Sequence, residues 1–507
     1  PDRRAMRLIV PLQGVVQGRG GIVLGSLIPC ALFYCLQFYL KRHRSSPPSS
    51  PPALSTELPR SSSQPLSPSA DGSTEPVPFA ARALPIAKPS DSPYYVGLER
   101  VSEDPYDAMG NPEGVIQLGL AENRLSLDLI EKGVLESWNG SIFRGKDDSG
   151  LGCIATYQPL DGLMGLKMAV AGFMSQVMGK TVSFDPSRLV LTSGATPAVE
   201  LLCFCLADLG NALLIPTPYY PGFDRDIKWR TGLVLVPVHC HASNNFSLSI
   251  AAVDQAFNRA QKQGLKVRGI LICSPSNPVG NLLSRDMLCD LLGFSREKNI
   301  HIISDEVFAG STFGDEEFVS MAEIVEPEED SDKRRVHVVY GLSKDLSLPG
   351  FRIGALYSFN DQVLDAAKKL SRFCSVSAPT QRLVTSMLSN ERFVEHYIAT
   401  NRERIRRMYD MFVSGLREVG IGVARSSGGL FCWADMRGLM RSCGEGGEHE
   451  LWEKLLNVGK VNVTPGLACH CVEPGWFRCC FSTLTEEDVP VVVGRIRRVT
   501  ETLRYSG

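Results

Sequence analysis

Short runs of aliphatic and β-branched residues alternate with helical patterns through the middle of this 507-residue chain. Apolar runs of this length, bounded by polar turns, predict buried strands. Their alternation with helices predicts a mainly parallel sheet covered by helices on both faces, which is an α/β fold. The predicted strands are Leu189–Leu191, Ala212–Ile215, Val234–Val238, Gly269–Ile272, His301–Ser304, Val336–Val339 and Ile353–Leu356.

The pattern changes after about residue 359. A long, charged helical stretch runs from Glu391 to Glu418, and a mixed α+β stretch follows it. We therefore expect a large domain at about 136–365 and a smaller C-terminal domain at about 366–507. The acidic and then basic run from Glu323 to Arg335 predicts a solvated loop.

The N-terminal segment, residues 1–44, contains an uncharged run from 21 to 40 with basic residues on both sides. A helix of 20 residues spans about 30 Å, the thickness of a bilayer core. A buried helix and a cleaved signal peptide both fit less well, because a polar tract follows and no small-residue cleavage site is evident. A single membrane anchor is predicted. The two basic flanks leave its orientation open.

Residues 45–93 hold 12 prolines and 13 serines, which is 25 of 49 positions. Such a stretch buries too little apolar surface to offset chain ordering, so we expect a flexible tether. The net charge of -2 argues against a nucleic-acid partner. Fifteen cysteines without a CxxC pair favour a reducing compartment, and we expect the catalytic part to face the cytosol.

The segment YGLSKDLSLPGFRIG (340–354) carries the most specific chemistry. Lys344 lies in a turn of small residues, and Arg352 follows eight residues later beside Pro349 and Gly350. An amine that forms a Schiff base next to a guanidinium that holds a phosphate suits pyridoxal phosphate. A lysine near an arginine is common on a solvated surface, so further partners are needed.

Two other segments supply those partners. CSPSNPVG (273–280) and IISDEVFAG (302–310) each follow an apolar run, which places Asn277 and Asp305 at the C-terminal ends of buried strands. Ligands of open α/β sheets bind at that edge. A lone strand-end aspartate is more often a helix cap. Three such ends, carrying Asn277, Asp305 and Lys344, favour a cofactor site.

From about Tyr94 to the C-terminus the chain resembles class I aminotransferases of the fold-type I pyridoxal-phosphate enzymes. The resemblance is strongest to the 1-aminocyclopropane-1-carboxylate (ACC) synthase branch and its divergent plant aminotransferases. It rests on GLAENRLSLDLI (119–130), TSGATPAVE (192–200), PTPYYPGFDRDIKWRTG (216–232), the lysine segment and PGWFRCCF (474–481). It implies a seven-stranded sheet, pyridoxal 5'-phosphate, and a homodimer with shared active sites and a crossing arm at about 94–135.

The resemblance also implies roles for single residues. Lys344 would form the Schiff base and move the Cα proton, and Asp305 would face the pyridine nitrogen. Asn277 would donate to the ring 3-oxygen, while Tyr220, rather than the adjacent Tyr219, would stack on the ring. The phosphate would be held by Gly194, Ala195, Thr196 and Arg352. Arg478 would bind the substrate α-carboxylate, with Glu122 near the substrate.

Three positions depart from the ACC-synthase pattern. Leu160 and Phe308 each stand where the family has a tyrosine, and Gly341 replaces a serine that touches the phosphate. Losing the phenol at 308 removes a hydrogen bond worth roughly 0.5–1.5 kcal/mol. The tyrosine at the position of Leu160 normally reaches into the neighbouring subunit's site. Glycine at 341 is tolerated across the wider class, but the departures at Leu160 and Phe308, together with the predicted membrane anchor, favour transamination over ACC synthesis.

We therefore predict an aminotransferase that acts on an amino acid, with an acidic or aromatic donor, and a 2-oxo acid. ACC synthesis from S-adenosylmethionine is the alternative, because its first steps need the same groups. A tethered, non-catalytic dimerisation partner is a third reading. No metal is expected, since the spacing of Cys469, His470 and Cys471 fits no common zinc pattern.

Overall fold

All seven predicted strands pair into one sheet in the computed structural model, which describes residues 79–90, 92–141 and 154–505. The predicted anchor at 21–40 and most of the predicted tether lie outside these residues. Within the described ranges, no helix is both long and apolar enough to cross a membrane.

The strands are β1 Ile116–Gln117, β2 Leu189–Thr192, β3 Ala212–Thr217, β4 Val234–His239, β5 Val267–Cys273, β6 His301–Asp305, β7 Val336–Gly341, β8 Gly354–Ser358, β9 Gly422–Val423, β10 Phe431–Asp435, β11 Val461–Asn462, β12 Thr464–Pro465 and β13 Trp476–Cys480. The α-helices are α1 Leu84–Ala87, α2 Pro93–Glu103, α3 Leu127–Ser141, α4 Met164–Val177, α5 Ala195–Leu206, α6 Phe223–Thr231, α7 Ile250–Lys262, α8 Arg285–Lys298, α9 Met321–Val325, α10 Asp330–Lys333, α11 Leu342–Asp345, α12 Asp361–Leu370, α13 Ala378–Leu388, α14 Glu391–Glu418, α15 Glu445–Asn457 and α16 Asp488–Tyr505.

The large sheet has the order β2-β8-β7-β6-β5-β3-β4. Its strands run parallel except β8, which is antiparallel to both of its neighbours. Every residue of β2, β7 and β8 is buried, because helices cover both faces of the sheet. The parallel strands therefore deliver their C-terminal ends to one common edge, where ligands of such sheets bind.

A second sheet, of order β12-β13-β10-β9, lies in the C-terminal part of the chain. Its strand β13 carries Arg478 between β10 and β12, opposite Trp433 and Thr464. The long helix α14 has the predicted bounds, and the Asn390 side chain caps it by accepting from the Phe393 N–H. The separation into two domains stays a prediction, although the elements on either side of it are as expected.

The segment from Glu323 to Arg335 is not the solvated loop that its charges predict. It contains the end of α9 and the whole of α10, and Asp332 within it is buried. Arg296 and Arg335 both pair with the Asp332 carboxylate, at 2.7 and 3.3 Å. A run of charges is read as solvated from sequence, but here two cations from neighbouring elements neutralise one acid.

Candidate active site

A cavity of about 270 Å³ opens at the C-terminal edge of the large sheet. The ends of β5, β6 and β7 and the start of α5 all border it. Eight of the ten sequence-predicted site residues line it, namely Ala195, Thr196, Tyr220, Asn277, Asp305, Lys344, Arg352 and Arg478. The other two, Gly194 and Glu122, do not line the cavity, although Gly194 immediately precedes Ala195 in the chain.

Lys344 lies in α11, directly after β7, and its Nζ donates to the carbonyl of Ala121 at 2.5 Å. Burial lowers the pKa of this lysine to about 8. The next residue, Asp345, anchors the turn by accepting from the Gly310 N–H, the Ser311 hydroxyl and the Tyr340 phenol at 2.6–2.8 Å. Lys344 is thus an amine in a turn held by hydrogen bonds, and it loses its proton near pH 8.

Asp305 ends β6, and burial raises its pKa to about 6. Its Oδ1 accepts from the Val307 N–H at 3.3 Å. Its Oδ2 faces the Cys273 thiol at 3.8 Å, and a thiol is only a weak donor. Among the described residues, therefore, Oδ2 has no strong donor, although the carboxylate lines the cavity. A protonated ring nitrogen would supply one.

A backbone turn joins β2 to the start of α5 and forms an anion cradle. Gly194 has φ +103°, and a Cβ there would collide with the guanidinium of Arg352. That guanidinium donates to the carbonyls of Ser193 and Pro349 at 3.1 and 3.0 Å. The N-terminus of a 12-residue helix next to a fixed arginine suits a phosphate.

Arg478 is completely buried and donates through Nη1 to Asn277 Oδ1 at 2.8 Å and through Nη2 to the Gly119 carbonyl at 2.7 Å. Its Nε has no hydrogen-bond partner in the described part of the chain. A buried guanidinium with an unused donor can accommodate a carboxylate. The pair also joins β5 of the large sheet to β13 of the small sheet.

The structure distinguishes residues whose roles were hard to tell apart in the sequence. Tyr220 lines the cavity, whereas the hydroxyl of Tyr219 turns to Asp224 at 3.2 Å. Glu122 pairs with Arg124 at 2.6 Å, yet its charge also acts on Lys344 by raising the pKa of that lysine, so its place near the substrate stays a prediction. His470, which carried the weak metal signal, stacks on Tyr219 and contacts Asp224 at 2.5 Å.

The three departures from the family pattern take different places. Phe308 lines the cavity and packs edge-on against Phe431 at 5.4 Å. Gly341 lines the cavity beside Ala195. Leu160 is 37% exposed and lies away from this chain's own cavity, so its predicted reach into a second subunit stays a prediction.

Sequence reasoning missed three residues with ionisable side chains that line the cavity. Tyr94, in the first turn of α2, lies 5.6 Å from the Arg478 guanidinium and meets Tyr220 edge-on at 6.2 Å. Asp226 faces the start of α5 from α6, and Cys273 faces Asp305. Tyr94 precedes Lys344 by 250 positions, so only the fold could bring the two together.

The sheet order and the edge at which these side chains meet place the chain among fold-type I enzymes that depend on pyridoxal 5'-phosphate. Residues 116–496 match the family described as aminotransferase class I and II, and the chain belongs to that family. The chain is also similar to an aspartate aminotransferase from Thermus thermophilus, solved with maleate. The TM-score is 0.68 at 20% identity, over 83% of this chain and 100% of that one, which shows the fold.

Two curated relatives match almost the whole chain. One is the "Probable aminotransferase ACS12" of Arabidopsis thaliana, 58% identical over 98% of this chain and 100% of that protein. Another is the "1-aminocyclopropane-1-carboxylate synthase 6" of Oryza sativa subsp. japonica, 55% identical over 98% of this chain and 93% of that protein. The family and the amino-group chemistry are therefore established, and the substrate is not.

The residues present fit the cofactor. The Asp305 Oδ2 that has no strong donor, the Gly194 turn that admits no Cβ, and the buried lysine amine would meet its ring nitrogen, phosphate and aldehyde respectively. Asn277 and Tyr220 border the space between them.

Proposed function

We propose that this enzyme transfers the amino group of an L-amino acid to a 2-oxo acid. The observation that carries the proposal is the assembly of Lys344, Asp305 and Arg478 around one cavity. A relative named as a probable aminotransferase, 58% identical along the whole chain, supports it.

Each of these residues has a separate task. Arg478 binds the substrate carboxylate and so directs the Cα–H bond into the cavity. Lys344 has a pKa of about 8, so part of it is neutral at pH 7–8. The neutral amine takes the proton from Cα and returns it to a different carbon atom. Pyridoxal phosphate, when bound, would supply an electron sink for the electron pair left at Cα, and Asp305 would keep the ring nitrogen protonated.

The cavity wall favours an aromatic donor over an acidic one. Arg352 faces the phosphate cradle, and Arg478 is assigned to the α-carboxylate. Besides these two and Lys344, the part of the wall that the described residues of this chain supply includes no cation for a second carboxylate, so an acidic donor would need a cation from the partner subunit. The rest of the wall is rich in rings and apolar groups, namely Tyr94, Leu120, Phe223, Pro275, Val307 and Phe308.

ACC synthesis is the second candidate, because a relative bearing that name is 55% identical. The purified enzyme, loaded with pyridoxal phosphate, is mixed separately with phenylalanine, tyrosine, aspartate and S-adenosylmethionine. Conversion to the pyridoxamine form by an amino acid, without ACC release, supports the aminotransferase, and an aromatic donor supports the wall argument. ACC release would replace the proposal with the second candidate. Lack of any turnover would contradict both.

We further propose that the enzyme is a homodimer. Helices α3 and α4 both pack against α13, yet they leave large apolar side chains exposed: Leu135, Trp138, Met164 and Met168. Large apolar side chains left exposed on helices that share one packing partner favour a protein–protein contact there. Met168→Glu should yield monomers in sedimentation, whereas Met109→Glu, at a 94% exposed position elsewhere, should not. A monomeric parent would contradict the proposal.

The N-terminal anchor with a cytosolic catalytic part remains our proposal for localisation. The alignments to the two relatives leave out at most about 2% of the chain, so they take in most of residues 1–93. A reporter fused after Arg44 should sediment with membranes and resist carbonate extraction, and a protease added outside sealed vesicles reports the topology. A fully soluble reporter would remove the anchor.

A further inference from the structure

A carboxylate lies where the cofactor phosphate is expected. Asp226, on α6, lines the cavity beside Ala195 and Thr196. Its Oδ2 accepts a hydrogen bond from the Thr196 hydroxyl at 3.3 Å. Thr196 belongs to the first turn of α5, whose N-terminus and neighbouring Arg352 form the anion cradle. An anion and an acid therefore share one hydroxyl.

Asp226 lacks the ion pair with a cation that each of the neighbouring acids forms. Asp224, two residues earlier on the same helix, is held by Lys228 and His470, and Glu200 pairs with Arg230 at 2.9 Å. Within the described residues, no cation forms an ion pair with Asp226. The guanidinium of Arg225 stacks instead on the Tyr95 ring, 3.1 Å from its centroid.

The groups that face Asp226 come from every element around it and are mostly anionic or neutral: Glu200 on α5, Arg225 on α6, Tyr95 on α2, Tyr220 before α6, and Asp305 at the end of β6. Burial raises the pKa of Asp226 to about 6; Glu200 acts in the same direction, while the Thr196 hydrogen bond and the charge of Arg225 lower the pKa. The carboxylate is thus mostly ionised at pH 7–8 in the cofactor-free enzyme, but little energy is needed to protonate it.

A bound phosphate changes the balance. A dianion near an ionised carboxylate is repelled, because the half-buried carboxylate is only partly screened by water. The Thr196 hydroxyl has one proton, so while it donates to Asp226 it cannot donate to a phosphate oxygen. When Asp226 is protonated, it can itself donate to the hydroxyl oxygen, which frees the hydroxyl proton.

We propose that Asp226 couples cofactor binding to the uptake of one proton, by releasing the Thr196 hydroxyl to the phosphate only when the carboxyl is protonated. The proton comes from solvent, and no covalent bond changes. Cofactor retention then weakens as pH rises above the range in which Asp226 titrates. By linkage, one bound proton corresponds to an affinity change of about tenfold per pH unit.

The test measures the Kd of pyridoxamine 5'-phosphate, which forms no Schiff base with Lys344, by fluorescence between pH 5.5 and 8.5. The ligand itself titrates in the same way with the parent and with Asp226→Asn. The Kd of the parent divided by the Kd of the variant therefore reports the titration of Asp226 alone. We expect that ratio to be near one at pH 5.5 and to rise by up to about tenfold per pH unit above pH 6.5.

The matched control is Asp224→Asn. It removes a carboxylate from the same helix, but the pKa of Asp224 is lowered to about 2 by its contacts with His470 and Lys228, although burial opposes them. The Kd ratio of this variant should not change with pH in the tested range. Thr196→Val should reduce the pH-dependent effect of Asp226→Asn but not remove it, because the hydroxyl carries one part of the coupling and charge repulsion carries the other.

Two results would overturn the proposal. A Kd ratio that stays constant with pH means that Asp226 carries no linked proton. A Kd that is higher for Asp226→Asn than for the parent at every pH means that the carboxylate only supports the structure.

If Asp226→Asn does not fold, calorimetry of the parent in two buffers of different ionisation enthalpy at pH 7.5 counts the protons taken up when the cofactor binds, and Thr196→Val serves as the comparison. Equal proton uptake by the two would contradict the model of a shared hydroxyl.

Discussion

The side chain of Asn277 accepts a hydrogen bond from Arg478 across the two sheets, with 2.8 Å between Oδ1 and Nη1. The residue expected to contact the cofactor ring thus also orients the arginine expected to bind the substrate. Asn277 thus couples the substrate site to the cofactor ring, whereas Arg478 itself is expected to contact only the substrate.

This coupling predicts a difference between two variants. Asn277→Ala should weaken cofactor binding and also raise KM, because Arg478 loses a buried partner. Arg478→Lys should leave the cofactor spectrum unchanged and lower kcat/KM by about 100-fold, since lysine cannot form two parallel hydrogen bonds to a carboxylate. Spectral titration and steady-state kinetics measure the two effects. If Arg478→Lys also changed the spectrum, the division of roles would be wrong.

Lys344→Ala should remove the visible absorption band of lysine-bound cofactor and lower turnover by about 10⁴-fold. The protein should still bind the cofactor through the phosphate cradle and Asp305. Absorption spectra before and after gel filtration report both properties. Lys369→Ala, which changes an exposed lysine on α12, is the control and should behave like the parent. A Lys344→Ala protein that keeps the band would show that another lysine carries the cofactor.

Gly341→Ser should strengthen cofactor binding. The backbone at 341 is extended, with φ -172°, so a side chain adds no strain. A Cβ there would meet the Ile353 carbonyl at 3.4 Å and the Ala195 Cβ at 3.5 Å, which are ordinary contacts. The new hydroxyl would border the cradle and add a hydrogen bond of about 1 kcal/mol, or roughly fivefold in Kd. Gly341→Ala separates the hydroxyl from the methyl group, and equal Kd values for the two variants would refute the prediction.

Stability should fall in mild acid because of a histidine pair at the opposite edge of the sheet. His337 Nε2 lies 3.2 Å from His301 Nδ1, and His337 Nδ1 bonds the Ser358 hydroxyl at 2.8 Å. Burial lowers the pKa of His301 to about 4 and that of His337 well below its usual value. The unfolded chain therefore binds protons first, so stability is complete above about pH 6.5 and declines toward pH 4.

Thermal unfolding at pH 7 and pH 5 measures this effect. His301→Gln should reduce the loss of unfolding free energy between these pH values by about 1–2 kcal/mol. His449→Gln, which changes an exposed histidine on α15, should leave the loss as in the parent. An unchanged loss in His301→Gln would place the acid sensitivity elsewhere.

The strands and the residues at their ends were predictable for a local reason. Strands buried on both faces need uninterrupted apolar runs, and parallel strands place their last residues at one edge. Asn277, Asp305 and Lys344 could therefore be placed in one site from their positions in the chain. The bounds of α14 were also predictable from a local pattern, because its charged and apolar positions repeat with a helical period.

Contacts between distant segments could not be predicted in this way. Tyr94 enters the cavity because α2 packs against the C-terminal sheet, and Asp226 enters it because α6 lies against α5. Glu122 turns to Arg124, and the buried Asp332 pairs with Arg335 of its own segment and with Arg296 of the distant helix α8. The sequence by itself determined the sheet through its periodicity and strand ends, and it determined the family and the lysine chemistry through the resemblance of its motifs to a known family. Only the tertiary structure decided which further charges face the cofactor, because those charges come from elements that meet only in the folded chain.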